Sequence, residues 1–202
     1  ALSLTFTNNK NPMTQEAKEK NYQLYLKKLE GIGVNTENFE KIKDQVTNAT
    51  YGLSLGIDGA SATYDGALLE TVLKVLTPYA VRINEILPEE LKADKSTLVK
   101  VCLLHQLSKA VTIVPNNDTW RAEKHGEIYM FKDGLPAIKM GMHSVVLCQE
   151  LGIPLTAQEV EAMTIMDRLD DVQAKYFASP LSVILRQANE LTRMHIKYKK
   201  VQ

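Results

Sequence analysis

The stretch STLVKVCLLHQLSKA, residues 96–110, decides the fold. Leu98, Val99, Val101, Cys102, Leu103, Leu104 and Leu107 leave almost no polar face on a helix. A helix that is apolar nearly all round is enclosed by other elements, so this one belongs at the centre of a helical domain. Asp94 or Ser96 supplies its start signal.

Working outward toward the N-terminus, DGALLETVLKVLTPYAVRINEIL (65–87) reads as a long helix with nearly continuous burial. Pro78 is expected to kink or divide it, because proline removes a backbone donor and crowds the preceding turn. Residues 48–63 are rich in Gly, Ser, Asn and Thr and read as a loop. Before them, Tyr22, Tyr25, Leu26 and Leu29 set a helix over 14–30 that Gly31 stops. Phe39, Ile42 and Val46 set a shorter helix over 36–47, with Thr36 as its cap. Residues 1–13 read as an irregular arm in which Leu2, Leu4 and Phe6 alternate with Ser3, Thr5 and Thr7.

On the C-terminal side, DTWRAEKHGEIYMFKD (118–133) alternates around KHGE and predicts a β-hairpin. Helices are expected over 136–151, 157–170 and 180–198. Gly152 ends the first, Thr156 and Glu159 form a capping box before the second, and Pro180 sits near the first helical position of the third. The expected class is therefore a mostly α domain with one β-hairpin and an N-terminal arm plus two helices.

The whole chain has 202 residues, 45% of them hydrophobic and 24% charged, which suits one globular domain. Lys+Arg and Asp+Glu both number 24, so no global positive field draws nucleic acid or anionic lipid. KYKK (197–200) is the one local basic segment. No apolar run approaches the roughly 18 residues of a membrane span, and the first residues lack the charged and apolar regions of a signal peptide. Cys102 and Cys148 lie in apolar helical contexts and read as buried free thiols of a reducing compartment, with a disulfide or a thiol nucleophile as the other readings.

Chemical motifs are scarce. Phosphate-binding glycine loops, the G-x-S-x-G elbow, H-E-x-x-H and zinc-type Cys/His spacing are all absent from the sequence. Of the histidines, His105 stands out inside its apolar helix, while His125, His143 and His195 read as surface or packing residues. Asp167, Asp170 and Asp171 in MDRLDD could present carboxylates on one helical face to a hard cation, or simply form a solvated helix end.

The order of elements and the segment LLHQLSKA resemble the HD-domain metal-dependent phosphohydrolases, in particular small bacterial and phage-type members. The resemblance covers 64–192, about two-thirds of the chain. YDGALLETVLKV looks like the family's first-histidine helix and LLHQLSKA like its HD helix. DGLPAIKMGMHSVVL is similar to the segment after the hairpin. LTAQEVEAMTIM is similar to a later histidine helix, and LSVILRQANELT to the final helix.

That resemblance implies a domain at 51–202 preceded by an extension at 1–50. It also implies what each chemical position has become. The first histidine falls on Thr71, the HD pair on His105 and Gln106, two further histidines on Met140 and Met166, and the closing aspartate on Asn189. Lys109 keeps the family's lysine. Neutral amides and thioethers are poor ligands for hard divalent ions, so the resemblance implies no catalytic residue, no bound metal and no cofactor. Met140 and Met166 are expected to fill the old cavity around His105. The function expected is a non-catalytic pseudo-enzyme, a structural or interaction component of an assembly. It would contact protein partners or itself through the N-terminal arm, and would be cytoplasmic, or in a virion if phage-derived. The alternatives are a nucleotide phosphohydrolase using His143, Asp167, Asp170 or Asp171, and a nucleotide-sensing module in which Lys109 meets phosphate.

Overall fold

The computed structural model describes residues 13–53, 62–168 and 178–198. Leu2, Leu4 and Phe6, the carboxylates of Asp170 and Asp171, and Lys199 and Lys200 lie outside them. The described residues form a mostly α fold with one two-stranded antiparallel hairpin.

Helix α1 (Gln15–Gly31) starts where the Thr14 hydroxyl accepts from the Ala17 amide. It ends one residue later than the sequence suggests, and its left-handed turn comes two residues later. Gly31 is still helical, and Gly33, at φ +83°, makes the left-handed turn. The Gly33 amide then donates to Glu30 and the Val34 amide to Leu29, each at 3.0 Å, which pairs carbonyls the helix end leaves open. A 3₁₀ turn (Glu37–Ile42) leads into α2 (Lys43–Asn48). Thr36 precedes that turn without a side-chain cap, and its hydroxyl donates instead to Glu30 at 2.6 Å.

The long helix over 65–87 is present as α3 (Ala67–Thr71), a π turn (Val72–Leu76) and α4 (Thr77–Ile86). The division expected at Pro78 falls one turn earlier, where the Thr77 amide reaches back to the Val72 carbonyl. Pro78 then occupies the first turn of α4, next to the turn in which the backbone hydrogen bonding shifts by one residue. Asn84 clamps the connection that follows: its amide donates to Ala93 O at 3.0 Å and accepts from Ala93 N at 2.9 Å.

Helix α5 (Lys95–Leu104), capped by Asp94, is the central helix, with Leu98, Val101, Cys102, Leu103 and Leu104 at most 2% exposed. A short turn leads to α6 (Lys109–Thr112). The hairpin differs from expectation. Its strands are β1 (Ile113–Pro115) and β2 (Tyr129–Phe131), and Thr119–His125 between them is helix α7. Asp118 caps α7 by accepting from the Arg121 amide, and Gly126 at φ +66° ends it. KHGE is thus a helix terminus, and the good helix formers Arg121, Ala122, Glu123 and Lys124 outweigh the apparent alternation.

Helix α8 (Met140–Glu150) begins four residues later than expected. Helix α9 (Ala157–Thr164) opens on the anticipated capping box and runs into a 3₁₀ turn (Ile165–Arg168). Helix α10 (Pro180–Tyr198) starts with Ser179 Oγ accepting from the Ser182 amide. Residues of the N-terminal extension belong to the main core: Tyr22, Tyr25, Leu29, Phe39 and Val46 join Leu104, Cys148, Met163 and Leu185 in one cluster. The helical part of 1–50 is therefore built into the fold and is not surplus to it.

Candidate functional site

His105 ends α5 and is 3% exposed. Its Nδ1 lies 3.0 Å from Val101 O and 3.2 Å from Cys102 O, carbonyls that can only accept, so Nδ1 carries the proton. Nε2 then presents a lone pair, and Asn189 of α10 meets it. The Asn189 amide nitrogen donates to Leu185 O at 2.9 Å, which orients the amide, and lies 3.1 Å from His105 Nε2. Asn189 Oδ1 accepts from Gln106 Nε2 at 2.8 Å. Nε2 also lies 3.2 Å from Asn189 Oδ1, but with the ring proton on Nδ1 the amide N–H is its partner, so His105, Gln106 and Asn189 form a neutral network.

Burial pulls the imidazole down to about 4, against the opposing hydrogen bond from Asn189. The nearby charge of Lys109 acts in the same direction as burial. The ring is therefore neutral at physiological pH, and its one lone pair is already engaged. No three His, Cys, Asp or Glu side chains gather into a metal-binding group among the described residues.

Lys109 and Tyr51 close the outer side. Lys109 Nζ donates to Tyr51 O at 2.8 Å and stands 3.9 Å from the Tyr51 ring centroid, a cation–π arrangement. Gln106 Nε2 also lies 3.4 Å from the Tyr51 hydroxyl. Desolvation pushes the lysine down to about 7, and the charge of Arg193 adds to that. Among the described residues Lys109 has no carboxylate partner, and Gln106 Oε1 is buried with no donor facing it. Tyr51 and Arg193 escaped sequence reasoning. The one signal for Tyr51 was an aromatic residue inside a Gly/Ser/Thr-rich loop.

The other motif positions do not join this network. Thr71 is buried in α3 and makes no hydrogen bond to it. Met140 and Met166 do not fill a cavity around His105. They line a separate cleft of about 670 Å³ beside β2 and the start of α8, with Phe131, Lys139 and His143. The Met140 sulfur lies 2.9 Å from Ser108 Oγ, and Ser108 and Ser144 bond across the α6–α8 contact at 2.8 Å. The space at His105 is taken by polar partners because His105 and Asn189 each need them when buried.

Asp167 has a structural task at that cleft. Its two carboxylate oxygens accept from the Gly141 and Met142 amides, each at 3.2 Å, capping α8 from another element. Its carboxylate is thereby engaged, whereas Asp170 and Asp171 fall outside the described residues. His125 packs edge-on against Trp120, and His195 Nδ1 lies 2.9 Å from the Tyr79 hydroxyl. Both cysteines are free and buried, and burial raises both thiols, Cys148 to about 12, which leaves them protonated. No helix among the described residues is long and apolar enough to cross a membrane. No protein-family model, curated protein or solved structure matches this chain.

Proposed function

We propose that this chain is a non-catalytic protein with an HD-like helical layout, acting as a structural or interaction component of a protein assembly. The observation that carries this reading is the Asn189 amide on His105 Nε2. The lone pair that a metal ion would use is engaged by a neutral amide, and the flanking positions Gln106 and Asn189 bring no charge. Without that chemistry the contribution of the chain is its surface. Residues 1–50 are assigned part of the contact, and a virion is the assembly implied by the phage-type resemblance. Elemental analysis of protein purified without chelator tests the reading: no stoichiometric iron, manganese or zinc is expected. One or two equivalents, lost in His105→Ala, overturn it.

A second reading, a nucleotide-sensing module, draws support from Lys109 without a carboxylate and from the unpartnered Gln106 Oε1. It requires a thermal upshift with a nucleotide from a defined panel, abolished in Lys109→Met.

A further inference from the structure

Helices α4 and α10 pack side by side and leave an apolar groove of about 520 Å³ between them. Val75, Pro78, Tyr79, Ile83, Ile86 and Leu191 line it. From Val75 to Ile86 the groove follows the helix for about 16 Å, at about 1.5 Å per residue. Ile86 is 82% exposed, and Met194 and Tyr198 extend the apolar strip along α10 at 50% and 61%. The Tyr79 hydroxyl on His195 holds the two walls together. An apolar strip of this kind on adjacent helices is a groove into which another helix packs.

We propose that the occupant is a second copy of this chain, seated across a two-fold axis so that α4 packs against its counterpart. Charge selects this occupant. Arg82 lies on the groove and Glu85 stands one turn away beside Ile86; both are exposed, and neither has an ion-pair partner among the described residues. A two-fold axis presents Arg82 of one copy to Glu85 of the other, and the reverse pair forms at the same time. One surface thus carries both halves of its own complement around a shared apolar centre. Zero net charge adds no long-range repulsion between copies. This face is independent of the His105 network and of the N-terminal arm.

Sedimentation velocity across a concentration series tests the inference. The chain should shift reversibly from monomer to dimer. Ile86→Lys and Arg82→Glu should each weaken the dimer about tenfold or more, and the double swap Arg82→Glu with Glu85→Arg should restore it. A chain that stays monomeric at its highest soluble concentration overturns the proposal. So does a dimer indifferent to Ile86→Lys, or a swap that fails to restore association. If deleting residues 1–12 abolishes the dimer while Arg82→Glu leaves it intact, the arm is the contact and this face is not. Metal content decides the reading of His105 separately.

Discussion

The Tyr25 hydroxyl of α1 donates to the carbonyl of Leu103 in α5 at 2.8 Å, in the interior of the protein. The ring beside it meets Phe39 edge-on, with centroids 5.8 Å apart. The N-terminal helix is therefore fastened to the central helix by a directional bond as well as by apolar contact. Tyr25→Phe keeps the ring and removes the donor, leaving a buried carbonyl short of a partner. A loss of about 1–3 kcal/mol is expected, read from urea unfolding. An unchanged midpoint would mean that the bond contributes nothing.

His105 gives the fold a specific acid sensitivity. Its imidazole is held near 4 in the folded chain and has an ordinary value of about 6.5 when unfolded. Between those values the unfolded state binds the extra proton, so stability rises with pH through this window. Full stability holds above about 6.5, declines as pH falls toward 4, and the decline from this group ends below that. The loss is on the order of 3 kcal/mol. Unfolding free energies of wild type and His105→Asn, measured from pH 7 to pH 4, should differ in slope over this range; parallel curves would refute the assignment.

Asp167→Ala should release the first turn of α8. The Gly141 and Met142 amides lose their acceptors, and about 1 kcal/mol of stability goes with them. Hydrogen exchange should quicken at these two amides and stay unchanged in α5.

Gly141 is a contact residue and not a flexible one. A Cβ at this position would stand 2.5 Å from the Met163 backbone oxygen and 2.7 Å from the Asp167 carboxylate. Gly141→Ala must push α8 away from α9, at a cost of about 1–3 kcal/mol. A thermal midpoint equal to wild type would show that the two helices separate freely.

Most helices and several of their caps were legible because they follow from local chemistry, whereas Thr36, read as a cap, and Gly31, read as a stop, act as neither. Asp94, Thr156 with Glu159, and Ser179 before Pro180 all act where their sequence positions indicate. The central burial of 98–107 was equally visible from apolar density. The hairpin was misplaced because a seven-residue helix and a turn share polar composition, and the strands are only three residues long. At the site, His105 and Asn189 stand 84 positions apart, and local pattern alone does not say that they meet. The family resemblance named both residues as motif positions, each on its own stretch of sequence. Met140 and Met166 were assigned to the same place and lie in another cleft, because an alignment position does not specify the direction of a side chain.

The π turn at Val72–Leu76 accommodates one residue more than an ordinary helical turn. Each residue of an α-helix rotates its successors by about 100°. The wide turn absorbs that rotation, so the residues after it keep the facing of a continuous helix, with Tyr79 on His195 and Ile86 outward. Removing one residue at Lys74 would return the turn to α geometry and leave α4 facing nearly as it does now, because four α steps cover about the rotation that the wide turn makes with five. Ala80 would keep its place in the interior. This one turn works as a length buffer, and a single-residue deletion there should harm the fold far less than a deletion inside α5, where no wide turn absorbs it.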